Sequence, residues 1–225
     1  MTIHVGFLLF PQVQALDLTG PLDVFASLSD VSIHLVWKTL EPIKASSGLV
    51  MTPDTTFADC PQLDVLCVPG GYGVGKLMED AQTLDFIRAH ARQARFVTSV
   101  CTGSLVLGAA GLLQGRRATT HWAYHDMLAP FGAIAVHDRV VRDGNLFTGG
   151  GVTAGIDFAL TLVSELFDAE QAQAAQLAIE YAPHPPFDAG SPDTAPASVV
   201  ELVRTRSANV RAEREAIVER VRTVR

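Results

Sequence analysis

The sequence has few cysteines and few charged residues. Its three cysteines, Cys60, Cys67 and Cys101, are an odd number in 225 residues, and no two of them have the CxxC spacing. A disulfide-stabilised scaffold is therefore not expected, and a reducing compartment, the cytoplasm, is the expected location. Charged residues make up 18% of the chain, against about 25% in an average soluble protein. This low fraction favours a protein that buries additional surface between subunits.

Long apolar runs and an excess of positive charge are also missing. No run reaches the roughly 18–20 residues that span a bilayer. The start of the chain has neither the basic region nor the small-residue cleavage site of a secretory signal. The formal net charge of −7 argues against obligate binding to nucleic acid or to an anionic membrane surface. We therefore expect no membrane span and no nucleic-acid partner.

The sequence does contain apolar segments of strand length that alternate with helical patterns. The predicted strands are residues 3–10, 31–37, 63–68, 95–100, 136–141 and 145–148, with a short one at 47–51. The predicted helices are residues 21–28, 77–94, 102–113, 153–167 and 169–181. This alternation predicts an α/β fold with a doubly wound, mostly parallel sheet that helices cover on both faces.

Three segments of the chain differ in composition. Residues 1–181 have the length and pattern of one large α/β domain. Residues 182–196 contain five prolines, so an extended segment is predicted there. Residues 197–225 are predicted to form one long, locally basic helix that packs on the domain or on a partner subunit. Its apolar stripe consists of Val199, Val203, Val210, Ile217, Val221 and Val224.

Cys101 lies where a predicted strand passes directly into a predicted helix. Open α/β sheets bind ligands beyond the carboxyl ends of their strands. Ser99 and Gly103, two residues before and after the cysteine, are small, as in a nucleophile elbow with cysteine in place of serine. The start of the helix is expected to lower the pKa of the thiol. These features indicate a reactive cysteine, whereas Cys67, inside an apolar strand, is expected to be an inert core residue.

Asp17 follows the first predicted strand and lies between two leucines. Gly20 is the natural cap of the helix predicted from Pro21, so capping does not account for the acid. Apolar neighbours tend to raise the pKa of a carboxyl group. A neutral Asp17 beside a Cys101 thiolate would donate a hydrogen bond to it, and the two groups would share one proton and titrate as a unit.

Two glycine-rich segments are expected to border the site. Residues 70–76 match GxxxxGK, but a leucine follows instead of serine or threonine, so we reject a phosphate-binding loop. The Gly71 N–H is instead expected to point at charge that develops on the substrate. Residues 149–154 fit GxGxxA, but no acid ends a following strand, so we also reject a dinucleotide site. Gly150 and Val152 are expected to form part of the pocket wall.

His121 and His125 have the i, i+4 spacing of two metal ligands on one helix face. Trp122 occupies the position of the glutamate in an HExxH motif, so structural or surface histidines are the preferred interpretation. No metal is expected.

Five segments of the chain together resemble one superfamily. They are GFLLFP at residues 6–11, LDLTGP at 16–21, VTSVCTGS at 97–104, ATTHWAYH at 118–125 and SPDTAP at 191–196. With the Cys101 elbow and the Pro-Gly-Gly loop, they resemble the ThiJ/PfpI superfamily and, over nearly the whole chain, its isocyanide hydratases. The pair Cys101-Thr102 replaces the Cys-His of protease-like members, and Asp17 replaces a glutamate common elsewhere in the superfamily.

The resemblance implies a flavodoxin-like fold, a homodimer and hydration of isocyanides, R–N≡C, to N-formamides, R–NH–CHO, without a metal or organic cofactor. It implies that Cys101 is the nucleophile, Asp17 the acid and base, and Thr102 a supporting neighbour. The N–H groups of Gly71 and Thr102 would then hold the polar atoms of a tetrahedral intermediate. Two alternatives stay open: a redox sensor in which Cys101 is oxidised to sulfinic acid, and a deglycase or glyoxalase that acts on reactive carbonyls.

Overall fold

A computed structural model describes residues 2–222 of the chain. Its strands are β1 (Ile3–Leu8), β2 (Val31–Trp37), β3 (Ile43–Lys44), β4 (Val50–Met51), β5 (Thr55–Thr56), β6 (Val65–Val68), β7 (Phe96–Val100), β8 (Arg117–Ala118), β9 (Ile134–Ala135), β10 (Val140–Asp143) and β11 (Leu146–Gly149). Its α-helices are α1 (Ala15–Ala26), α2 (Val74–Met78), α3 (Ala81–Ala91), α4 (Gly103–Ala109), α5 (Ala154–Leu166), α6 (Ala169–Ala178) and α7 (Ala197–Arg222). A 3₁₀ helix, Trp122–Phe131, lies between β8 and β9.

Seven of these strands form one sheet, in the order β10-β11-β7-β6-β1-β2-β5. All neighbouring strands are parallel except the hairpin β10–β11 at one edge. Helices α1, α5 and α6 pack together, and helices α2, α3, α4 and α7 pack together as a second group. The predicted α/β class with a mostly parallel sheet is confirmed. The central strand β6 is buried along its whole length, as strands covered on both faces are.

Helix α1 begins at Ala15, whereas the sequence predicted a start at Pro21. Pro21 therefore lies inside the helix, although it has no N–H to donate to the carbonyl of Asp17. The same helix buries Leu18, Val24 and Phe25, and this apolar burial outweighs the loss of one hydrogen bond. As a result, Asp17 lies in the first turn of α1 and not in a loop.

The single helix predicted over residues 77–94 is two helices, α2 and α3. The side chain of Asp80 accepts a hydrogen bond from the Thr83 N–H (3.3 Å) and caps α3, so a new helix begins there. The strand predicted over residues 136–141 is observed at Val140–Asp143 instead. It turns into β11 through Gly144, whose φ of 58° is in the left-handed region.

The last part of the chain lies over the 3₁₀ helix and α2. Ile217 and Val218, in the second half of α7, are buried. Val203, nearer its start, is 38% exposed. Residues 182–196 contain neither helix nor strand, and Val224 of the predicted stripe lies outside the described residues. Within residues 2–222, no helix combines the length and the apolar character that crossing a bilayer requires.

Candidate active site

Cys101 forms the sharp turn between β7 and α4. Its φ of 54° lies in the left-handed region, which side-chain-bearing residues rarely adopt. Its N–H donates to the carbonyl of Gly149 (3.0 Å), and its own carbonyl accepts from the hydroxyls of Thr120 (2.9 Å) and Ser104 (3.3 Å). These three bonds hold the turn in a conformation that lets the thiol face a cavity.

Two glycines allow the backbone around this turn to pack closely. A Cβ on Gly103 would lie 2.0 Å from the carbonyl oxygen of Val68. A Cβ on Gly70 would lie 2.7 Å from the N and Oγ1 atoms of Thr102 and 2.8 Å from Oδ2 of Asp17. Only glycine fits either position. Sequence reasoning identified Gly103 in the elbow but missed the role of Gly70 between the acid and the threonine.

The Asp17 carboxyl is completely buried beside the Cys101 thiol. Its Oδ2 accepts a hydrogen bond from the Gly70 N–H (2.9 Å). Its Oδ1 has no nitrogen or oxygen partner in the described part of the chain. Burial raises the pKa of Asp17 to about 7, although the hydrogen bonds from Gly70 and Cys101 oppose the shift. The carboxyl therefore exchanges its proton near neutral pH.

Burial also raises the pKa of the Cys101 thiol, and the nearby charge of Asp17 raises it further. The Thr102 N–H and the positive charge of Arg214 lower it, but by less. The expected net lowering of the thiol pKa is therefore wrong, because the removal of a thiolate from water outweighs the interaction with the helix start. With Asp17 ionised, the proton that the pair retains lies on sulfur, and a thiolate forms only when that proton moves.

Thr102 and Gly71 interact with each other beside the thiol. The Gly71 N–H donates to Thr102 Oγ1 (3.3 Å), so this N–H is already used and does not point freely at a substrate. Gly71 has a φ of 137°, and a Cβ on it would lie 2.4 Å from the carbonyl oxygen of Gln12. The Thr102 N–H, in contrast, interacts with the sulfur of Cys101.

A cavity of about 180 Å³ opens at Cys101. Its lining residues are Gln14, Gly71, Tyr72, Cys101, Thr102, His121, Tyr124, Val152, Ser207 and Arg214. Val152 lines the cavity, as expected from the sequence. Gly150 was expected to line it too, but it is not among the lining residues. The N–H of Gly150 donates to the carbonyl of Arg139 (2.9 Å), so the loop is tied to the start of β10 behind the cavity.

His121 lines the cavity, although the sequence pattern favoured a structural or surface histidine over a metal ligand. Its Nδ1 accepts a hydrogen bond from the Ala123 N–H (3.3 Å), which leaves its proton on Nε2. Burial lowers the pKa of His121 to about 4, and the charge of Arg214 contributes. The ring is therefore neutral at neutral pH. The ring of His125, the second histidine of the pair considered in the sequence, stacks on the ring of His137, with centroids 4.2 Å apart.

Arg214 reaches the cavity from helix α7 and is 3% exposed. Its Nη2 donates to the carbonyl of Gly71 (2.5 Å), and its guanidinium lies 4.5 Å from the centroid of the Tyr124 ring. Sequence reasoning missed this residue. A signal was present, because Arg214 lies four residues after Val210 and three before Ile217, on the helix face that carries the apolar stripe.

Comparison with known proteins identifies the family to which this fold belongs. The model of the DJ-1/PfpI family matches residues 3–165. The chain belongs to the DJ-1/PfpI family. A protein named isonitrile hydratase from Pseudomonas putida is 70% identical over 98% of this chain and 96% of its own length. The crystal structure of a ThiJ/PfpI family protein from Pseudomonas syringae superimposes with a TM-score of 0.94 at 45% identity, over 97% of this chain and 91% of that one.

A third relative shows how the family domain occurs in longer proteins. The HTH-type transcriptional regulator GbdR of Pseudomonas aeruginosa is 34% identical over 71% of this chain, and the match covers 45% of the regulator. The family assignment confirms the resemblance that the sequence motifs indicated.

Proposed function

We propose that this chain hydrates isocyanides to N-substituted formamides, with Cys101 as nucleophile and Asp17 as the group that moves protons. The observation that carries the proposal is the buried thiol–carboxyl pair, of which the Cys101 thiol lines a small cavity and the Asp17 carboxyl lies behind it. The 70% identity to a protein named isonitrile hydratase, over nearly the whole chain, supports the substrate class. Asp17, with a pKa of about 7, is suited to accept and return a proton near neutral pH.

The first step joins the substrate to the protein. The sulfur of Cys101 attacks the terminal carbon of R–N≡C while ionised Asp17 removes the thiol proton. Asp17 then gives that proton to the same carbon. One C–S and one C–H bond form, the product is the thioimidate R–N=CH–S–Cys101, and Asp17 is ionised again. The Thr102 N–H stabilises the negative charge that sulfur carries during the attack.

The second step consumes water. Asp17 removes a proton from a water molecule whose oxygen adds to the thioimidate carbon, and that proton passes to the nitrogen. The tetrahedral species R–NH–CH(OH)–S–Cys101 then loses its C–S bond, and its hydroxyl proton returns to sulfur through Asp17. The products are R–NH–CHO and the free thiol. Every atom and proton in these steps comes from the substrate, from water or from the side chains of Cys101 and Asp17. We therefore propose a reaction without a cofactor.

Product analysis combined with intact mass tests the proposal. Purified protein mixed with para-nitrophenyl isocyanide should give the corresponding formamide, and protein trapped during turnover should gain the mass of one substrate molecule. Cys101→Ala should show neither. Stoichiometric oxidation of Cys101 without formamide would instead support the sensor, and lactate formed from methylglyoxal would support the glyoxalase. Turnover by Cys101→Ala would contradict the proposed nucleophile.

We also propose that the chain is a cytoplasmic homodimer, in which residues 1–181 form the α/β domain, and helix α7, Ala197–Arg222, packs on that domain and contributes its exposed apolar side chains to the interface. Val199, Leu202 and Val203, near the start of α7, are 38–47% exposed, and an apolar face of this kind favours contact with a second subunit. Sedimentation at micromolar concentration should give twice the chain mass of 24.1 kDa. Leu202→Asp should shift the protein toward monomer, and a monomeric parent protein would contradict the proposal.

A further inference from the structure

The cavity beside Cys101 contains a buried positive charge without a carboxylate partner. Arg214 lines the cavity and is 3% exposed. It forms no ion pair with any residue in the range 2–222. Its Nη2 donates to the carbonyl of Gly71, and its Nε is buried with no hydrogen-bond partner in the part of the chain that the structure describes. Because buried charges in proteins are normally paired, this arginine points to a ligand that supplies the negative charge.

The rest of the cavity lining also suits a negatively charged ligand. None of its ten residues is acidic. The side-chain oxygen of Gln14 accepts a hydrogen bond from the Ser46 hydroxyl (3.1 Å), which leaves the Gln14 amide NH₂ as a donor. His121, whose Nδ1 accepts from a backbone N–H, keeps a donor at Nε2. A cation and two further donors therefore line a space that takes a small molecule.

The guanidinium of Arg214 is held in place before any ligand arrives. It lies over the ring of Tyr124, 4.5 Å from the centroid. One turn earlier on α7, Arg211 pairs with Asp126 of the 3₁₀ helix (3.2 Å between Nη1 and Oδ1). Ile217, one turn later, is 3% exposed. The helix is thus fixed on both sides of Arg214, so a ligand meets a preorganised charge.

We propose that Arg214 makes this cavity selective for isocyanides that carry a carboxylate group. The inference rests on the proposed hydratase function and names the substrate class of that same site. In a small substrate such as isocyanoacetate, the isocyanide carbon meets the sulfur of Cys101 while the carboxylate binds the guanidinium. Hydration of this substrate yields N-formylglycine. The methyl ester has the same isocyanide group without the negative charge and so provides the matched comparison.

Kinetics with this substrate pair test the assignment. The parent protein should have a kcat/KM about 10- to 100-fold higher for isocyanoacetate than for its methyl ester, since hydrogen bonds between charged groups contribute this much. Arg214→Met should remove the preference by lowering only the value for the acid, and Arg214→Lys should retain most of it. Arg206→Met changes an exposed arginine of the same helix that does not line this cavity, and it should leave the preference intact. Equal values for the two substrates in the parent protein, or an equal loss for both in Arg214→Met, would overturn the inference.

A binding measurement separates this inference from the proposed function. The Cys101→Ala protein should bind isocyanoacetate at least 10-fold more tightly than the methyl ester in a calorimetric titration, and adding Arg214→Met should abolish the difference. If the parent protein hydrates both substrates without discrimination, the carboxylate site is refuted and the hydratase stands. If it hydrates neither but the calorimetric preference persists, the hydratase is refuted and the carboxylate site stands. Should Arg214→Met fail to fold, the parent protein and Arg214→Lys decide: equal values for the acid and the ester in the parent protein overturn the inference, and a preference for the acid that Arg214→Lys largely retains supports it.

Discussion

Cys67 lies in β6 and Cys101 directly follows the neighbouring strand β7, and only Cys101 borders a cavity. Cys67 is in the middle of β6, is fully buried, and has a pKa that burial raises to about 12. Cys101 follows β7, has a φ of 54° and lines a cavity. Burial raises the pKa of both thiols. The pKa therefore does not distinguish them. What distinguishes Cys101 is that it borders a cavity that a substrate can enter and lies beside Asp17, the proposed proton acceptor.

Removing each thiol should give the largest contrast between the two regions. We expect Cys101→Ala to lower kcat by at least about 1,000-fold, because Cys101 carries the only thiol among the described residues that line the cavity. Cys67→Ala should keep the turnover of the parent protein and lose about 1 kcal/mol of stability through a small core void. Formamide production and denaturant unfolding measure the two effects. Similar losses of turnover in both variants would remove the distinction.

Replacing the proton acceptor should have the next largest effect. Asp17→Asn keeps an oxygen that can accept the Gly70 N–H but cannot carry a proton, so we expect kcat/KM to fall about 100- to 10,000-fold. For the parent protein, kcat/KM should rise with pH through about 7, because only ionised Asp17 removes the thiol proton. The variant should lack this rise. A pH profile that keeps it in Asp17→Asn would assign the titration to another group.

The third effect is on stability and not on turnover. The pKa of Asp17 is higher in the folded chain, about 7, than its ordinary value of 3.8, so the folded state binds the proton more tightly. Stability from this group is complete below about pH 4 and is lost as pH rises through 7. Asp17→Asn should therefore gain up to about 4 kcal/mol relative to the parent protein between pH 4 and 9. Urea unfolding across this range measures it, with exposed Asp23→Asn, on the same helix, as the control.

The sequence was sufficient to predict the sheet and the position of the elbow, because both depend on local patterns. Apolar runs of strand length identify β1, β2, β6 and β7, and small residues around Cys101 identify the turn. The start of α1 was not predictable in the same way. Pro21 reads locally as a helix start, and only the tertiary burial of Leu18 shows that the helix continues through it.

The electrostatics and the far wall of the cavity depend on distant parts of the chain. Local reasoning placed Cys101 at a helix start and expected a lower thiol pKa, but desolvation, which the sequence does not reveal, dominates. Arg214 is more than one hundred residues from Cys101 along the chain. The composition of α7 indicated a basic helix, and only the packing of that helix shows that one of its arginines turns inward.

The residues of the site come from two separate segments of the chain. Asp17, Cys101 and Thr102 lie inside the segment that the family model matches, residues 3–165, whereas Arg214 belongs to a helix beyond it. Under the roles proposed above, changes confined to α7 alter which substrate binds and leave the residues that form and break bonds unchanged. Related proteins can in this way come to accept different substrates and still catalyse the same reaction.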